Sequence, residues 1–310
     1  MENGKYQLET GLKALVGLLD EFRKGNIYKR NADRKVLEQH IRELSKRWDR
    51  KFPDFPESRF SYTSDIGLLF RGRRDAYLKK IIIRLAEAHE QGHRNRIIVN
   101  PACVIGRHTR DLASRLPHFR VIGTDIDPRW NWIYEHISTK RNPDNFEFVK
   151  DNIFDPTVHV TPMAVVFFGA CGSVSDGAID YAIESQSPYL IFRTCCHVIT
   201  GANMKIAHRP RFINLFFRFY LWCMSKKLRK EKYAGFYFSD KYSKEHYPRS
   251  ETARSVSNSD EFLEVCRNSF DIDFCRTIID LDRYLLLVEK GYNTWYKEEL
   301  FVAERTTKVN

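Results

Sequence analysis

The stretch RIIVNPACVIGRHTRDLASRLPHFRVIGTDIDPRW, residues 96–130, decides the fold. RIIVN (96–100) is a short run of branched apolar residues, the composition of a buried strand. The loop that follows contains one glycine, Gly106. TRDLASRLP (109–117) has helical spacing. RVIGTD (120–125) is a second strand, and it ends in an acid.

Working outward, the alternation continues. RWNWIYEHIS (129–138) reads as a helix, FEFVKDN (146–152) and MAVVFFGA (163–170) as strands, and DGAIDYAIESQ (176–186) as a helix. YLIFRT (189–194) is a strand and DEFLEVCRNSF (260–270) a helix. DIDFCRTIIDLDRYLLLVEKGY (271–292) is expected to form two strands of a terminal hairpin. Alternating elements of these lengths predict an α/β fold: a doubly wound, mostly parallel, seven-stranded sheet closed by a C-terminal antiparallel hairpin.

Upstream, residues 1–92 are expected to form a helical N-terminal appendage, with the Rossmann-like domain at 93–310. Leu8, Leu12, Leu15, Leu18, Leu19 and Phe22 recur at helical spacing. A second helix, capped by Asn31 or Asp33, is expected to run to Trp48. KFPDFPESRFSY (51–62) breaks the pattern with two prolines. RRDAYLKKIIIRLAEAHEQG (73–92) is a third helix with Gly92 as its C-cap.

Composition narrows the class. The chain has 310 residues, 43% hydrophobic and 29% charged, which is ordinary globular composition. The N-terminus lacks the basic start and apolar core of a signal peptide. The longest apolar run, FINLFFRFYLWCM (212–224), is shorter than the roughly 20 residues a bilayer demands. Seven cysteines in a chain of this length suit reduced thiols in a cytoplasmic protein better than a disulfide framework. A net charge of +11 and a pI of about 9.3 favour anionic partners without choosing among nucleic acid, phosphorylated substrates and acidic lipid.

On these residues, 96–290 resembles a class I S-adenosylmethionine-dependent methyltransferase. That family opens with an acid and a glycine-rich turn after its first strand, places an acid at the end of its second, and closes its sheet with an antiparallel hairpin. The resemblance implies S-adenosylmethionine as the cofactor. By position, Asn100 stands where the family has an acid. Ala102 and Val104 stand at the first two glycine positions, flanking Cys103, and Gly106 keeps the third. Val104 is the largest departure, because a β-branched residue resists positive φ. The expectation is a displaced loop, a shifted cofactor or a lost site. Asp125, with Ile126 beside it, is expected to take the ribose hydroxyls. Asp151 and Asn152 are expected at the adenine, and Gly169 at the switch point where α/β sheets bind ligands. An NAD enzyme would also want a loop glycine and a ribose acid, but GRHT (106–109) lacks the later glycines of its fingerprint.

The acceptor side falls to the ends of strands one, four and five, which carry Cys103, Cys171, and Cys195, Cys196 and His197. His197 is the candidate general base, because imidazole titrates near neutral pH. Cys196 and Cys171 are the candidate catalytic thiols. No metal is expected, since no C-x-x-C pair is present. FFGACGSVSD and FRTCCHVI also resemble a methyltransferase-like subgroup with Ala-Cys-Gly and Cys-Cys-His turns, several members of which are linked to RNA modification. An insertion at about 205–258 interleaves aromatic residues with Arg and Lys. That composition suits base stacking, a lid, or a helix packed on the core. RGRR (71–74) reads as a basic turn ahead of the third helix, within reach of the cofactor carboxylate or an acidic substrate. Three functions follow: methyl transfer to a small-molecule acceptor enclosed by cap and insertion; an RNA methyltransferase using the basic insertion; or an inactive methyltransferase-like binding module. A membrane-surface role is disfavoured.

Overall fold

A computed structural model gives the structure of the protein and describes residues 2–25, 34–55, 65–90, 95–104, 106–128, 131, 135, 142–170, 173–194, 247–268, 272–297 and 299–306. Seven strands form one sheet: β1 (Ile97–Asn100), β2 (Arg120–Asp125), β3 (Phe146–Lys150), β4 (Ala164–Ala170), β5 (Tyr189–Thr194), β6 (Tyr292–Lys297) and β7 (Leu300–Arg305). Their spatial order is β3-β2-β1-β4-β5-β7-β6. The first five strands are parallel; β7 runs antiparallel to β5, and β6 antiparallel to β7. This is the expected α/β class, with its antiparallel C-terminal pair.

The helices among the described residues are α1 (Glu2–Arg23), α2 (Arg34–Lys51), α3 (Asp65–Glu90), α4 (Arg107–Arg115), α5 (Ser173–Glu184), α6 (Glu251–Arg254), α7 (Ser259–Asn268) and α8 (Ile272–Glu289). They cover both faces of the sheet. On one face α2, α3 and α4 pack Trp48, Leu78, Ile82 and Leu112 with Ile98, Val121 and Ile191. On the other, α1, α5, α7 and α8 pack Leu15, Ile179, Phe262 and Leu285 with Val99, Val165 and Phe192. Neighbouring strand residues therefore feed opposite cores, as the two-residue period requires. Burial on both faces also explains why the strands read as unbroken apolar runs. The N-terminal helices α1–α3 contribute to both cores. Gln7 Nε2 donates to the Thr294 carbonyl at 2.7 Å, which ties α1 to β6.

Two expectations are corrected. Residues 271–292 do not form a hairpin: Ile272–Glu289 is one helix, and the hairpin is YNTWYKEELFVAER, residues 292–305. The reason is burial. α8 lies against α1 and the sheet, and Ile278, Ile279, Leu281, Leu285 and Leu287 are all buried. Arg276, Thr277, Asp280, Asp282 and Arg283 are buried as well, so the polar residues of this helix do not mark a solvent face. Its length is the clue that distinguishes it from strands. The second correction concerns RGRR. α3 starts at Asp65, so residues 71–74 lie inside a helix, and Arg74 is buried with Nη1 3.6 Å from Glu299 Oε2. The capping candidates Asn31, Asp33 and Gly92 lie outside the described residues, as does most of the 129–138 helix. No helix among the described residues is long and apolar enough to cross a membrane.

Candidate functional site

The parallel strands reverse direction of winding between β1 and β4, and the crevice at their carboxyl ends is where open α/β sheets place ligands. The loop from Asn100 to Gly106 forms one wall. Ala102 (φ 52°), Val104 (φ 54°) and Gly106 (φ 66°) all occupy the left-handed region, so the three glycine positions keep the glycine conformation with only one glycine present. Each non-glycine residue held there costs about 1–2 kcal/mol. Backbone bonds offset that cost: the Cys103 amide donates to the Thr124 carbonyl at 2.8 Å, and the Gly106 amide to the Cys103 carbonyl at 2.9 Å. At Gly106 a Cβ would stand 2.5 Å from Arg110 Nη1, so the guanidinium would have to shift to admit a side chain.

Asp125 ends β2 and is buried. Its Oδ2 accepts from the Val104 amide at 2.9 Å and its Oδ1 from the Asp127 amide at 3.0 Å. The acid thus joins the first loop to the second. Burial pushes its pKa above the usual carboxylate value, against the pull of those amides. A carboxylate has about four lone-pair sites, so both oxygens keep capacity for ligand hydroxyls. Ile126, beside it, is half-buried.

Asn100, buried, donates through Nδ2 to Thr109 Oγ1 at 2.7 Å, so in place of an acid it pins α4 to the end of β1. Cys103 turns its sulfur inward beneath the loop, against β2. Burial, then the nearby Asp125 charge, pushes its thiol up to about 12, which makes it a packing group rather than a nucleophile. Arg110 lies below, its guanidinium 4.3 Å from the centre of the Phe146 ring and its Nε donating to Asn142 Oδ1 at 2.6 Å.

At the end of β3, Asp151 is buried, and its Oδ1 accepts from the Thr157 amide at 2.8 Å and hydroxyl at 2.9 Å. The Asp151 amide donates to the Asp125 carbonyl at 3.0 Å. Asn152 Oδ1 accepts from the Phe154 amide at 3.1 Å. Gly169, at φ 93°, sits where the β4–β5 register shifts. Asn100, Ala102, Cys103, Gly106, Asp125, Ile126, Asp151, Asn152 and Gly169 are thus all on the carboxyl ends of β1–β4 or the loops that leave them.

Sequence reasoning missed the far side of the crevice. His108, on the first turn of α4, stacks on Phe168 of β4 with ring centres 4.8 Å apart, and so spans the switch point. Its Nε2 lies 3.7 Å from Asp75 Oδ2 on α3, and Asp75 Oδ1 accepts from Arg193 Nε of β5 at 2.7 Å. Burial lowers the His108 pKa; Asp75 opposes this, while Lys79, Arg193 and Arg107 lower it further. His108 was in plain view in GRHT, but nothing in the sequence points to Asp75 or Arg193 as its neighbours.

Behind β5, a buried chain of polar groups continues. Thr194 Oγ1 donates to Asp280 Oδ2 at 3.2 Å, and Tyr296 shares that oxygen at 3.1 Å. Arg283 bridges Asp280 (3.4 Å) and Asp176 (2.8 Å). Asp176 also accepts from the Tyr247 hydroxyl at 2.5 Å and from Arg249 at 3.2 Å. Cys171, Cys195, Cys196, His197 and residues 205–246 of the insertion lie outside the described residues. Among the described residues, no cluster of metal-ligating side chains is present.

No family model and no curated protein matches the chain. Solved structures do resemble it. An aminoglycoside-resistance methyltransferase is 18% identical, with 35% of this chain and 61% of that one covered and a TM-score of 0.29. A sugar N-methyltransferase from Streptoalloteichus is 18% identical over 46% of this chain and 57% of that one, with a TM-score of 0.29. A magnesium protoporphyrin IX methyltransferase from Synechocystis, with bound SAH, is 12% identical over 84% and 93%, with a TM-score of 0.35. The chain thus spans about three fifths of the length of the first two structures. Strand order and loop geometry, rather than these likenesses, carry the functional reading.

Proposed function

We propose that the protein is an S-adenosylmethionine-dependent methyltransferase. One observation carries the reading: Ala102, Val104 and Gly106 hold left-handed backbone at the three glycine positions, with the loop bonded to the Asp125 carboxylate at the end of β2. The backbone shape that lets a nucleoside cofactor approach is kept although the glycines are not. Asp125 would take the ribose hydroxyls, and the loop amides and Gly169 would line the remainder. When bound, S-adenosylmethionine supplies an electrophilic methyl group, and the chain's task is to align the acceptor with it.

The acceptor we propose is a small molecule. The end of β5 is walled by α3 through the Arg193–Asp75 pair, and by the β6–β7 turn through the Thr194 amide, which donates to the Glu299 carbonyl at 3.0 Å. Those contacts favour an enclosed acceptor over an open platform. The net charge of +11 supports an RNA acceptor as the second reading.

Isothermal titration of the full chain with S-adenosylmethionine, S-adenosylhomocysteine and NAD tests the cofactor. The expected result is micromolar binding of the first two, lost in Asp125→Ala, with no NAD binding. Absence of binding by the wild type would leave the inactive-module reading standing. Steeply salt-dependent RNA binding would favour the second acceptor class.

A further inference from the structure

Val104 combines two features that are each unfavourable in the free protein. A β-branched side chain occupies left-handed backbone at φ 54°. The residue is also 46% exposed, one of two large apolar residues exposed among the described residues. The other, Tyr6, carries the Arg47 guanidinium 4.3 Å above its ring. Val104 instead stands beside the Asp125 carboxylate, bonded to it through its own amide at 2.9 Å. Backbone strain and an exposed apolar group concentrate at ligand clamps.

We infer that Val104 is a contact residue for the nucleoside of the cofactor, its isopropyl group supplying an apolar surface at the ribose-binding carboxylate that a glycine in the same conformation lacks. This rests on the cofactor reading proposed above. It places at Val104 a binding role that the glycine pattern assigns to bare backbone. The loop then trades close approach at one position for added apolar contact at the same position. The free protein carries the strain, and the bound ligand covers the methyl groups.

The test uses the full chain with methyl-labelled valine and S-adenosylhomocysteine as the probe. Val104→Ala assigns the Val104 methyl resonances. On titration those resonances are expected to shift. Val104→Gly is expected to weaken binding about tenfold while raising the melting midpoint of the unliganded protein by about 2 °C. Val104→Ala, which keeps a Cβ, is expected to weaken binding without that gain. Wild-type binding with unmoved Val104 methyls, or with equal or tighter binding by Val104→Gly, overturns the inference and leaves the cofactor reading intact. No binding of the probe by the wild type overturns both, so the wild-type isotherm separates the two failures.

Discussion

Cys103 and Gly123 are complementary: the Cys103 sulfur lies 2.9 Å from where a Cβ on residue 123 would stand, and the Phe146 ring 3.2 Å from it. The first loop can lie on β2 because residue 123 has no side chain. Gly123→Ala is therefore expected to destabilise the fold by about 1–3 kcal/mol through overpacking. Adding Cys103→Ala is expected to recover part of that loss, with a coupling of about 0.5–3 kcal/mol. Urea unfolding of the two single variants and the double variant measures it; additive effects would contradict the packing account.

Ligand binding is expected to titrate with Asp125. Its folded-state pKa is raised by burial, so the carboxylate that accepts ribose hydroxyls is lost at a higher pH than for an ordinary aspartate. Affinity for S-adenosylhomocysteine should fall as pH drops towards the acid range. In Asp125→Asn the affinity should be low and nearly independent of pH. A wild-type affinity that stays flat on acidification would remove Asp125 from the ribose site.

His108 sets a second pH dependence, read in stability. Its pKa is lowered in the folded state by burial, and it faces Asp75 and Lys79 of α3, Arg193 of β5 and Arg107 of α4. Between the folded value and the unfolded value of about 6.5, the unfolded chain binds more protons. Stability therefore falls as pH drops through that window and is fully present above it. His108→Phe keeps a ring against Phe168 and removes the titration. Urea midpoints at pH 5 and pH 8 should differ less in the variant than in the wild type.

Asp176 is the hub of the buried ionic chain. Burial disfavours its charge, yet Arg283 and Arg249 hold its pKa below the usual value. Asp176→Asn leaves Arg283 and Arg249 short of their buried counter-charge and should cost about 3–5 kcal/mol. Combining it with Arg283→Met should restore much of that loss. Denaturant unfolding with an unchanged slope would show that stability, not compactness, has moved.

Much of the sheet was legible in the sequence, and for a physical reason. RVIGTD (120–125) and YLIFRT (189–194) coincide with β2 and β5, because strands covered on both faces must be apolar throughout. α8 was hidden because its polar residues, Arg276, Thr277, Asp280, Asp282 and Arg283, are buried along with its apolar ones. That Asp125 and Gly169 stand at the carboxyl ends of β2 and β4, and Gly106 in the loop after β1, was legible from the order of elements. The conformation of Val104 was not, because a residue's own φ preference amounts to about 1–2 kcal/mol and hydrogen bonds from other segments outweigh it. The Arg193–Asp75 pair joins residues far apart in the chain, and no local pattern encodes which of the many charges will meet.

The buried chain of polar groups behind β5 has a consequence for how the protein can change. Thr194 is the last described residue before 195–246, and Tyr247 is the first after it. Both are moored to one string of side chains, Thr194 through Asp280 and Tyr247 through Asp176, with Arg283 between. Both residues are thus held by the core itself. Thr194 and Tyr247, 53 positions apart in the chain, therefore answer to the same buried acids, so a change at Asp176, Asp280 or Arg283 reaches both anchor points at once.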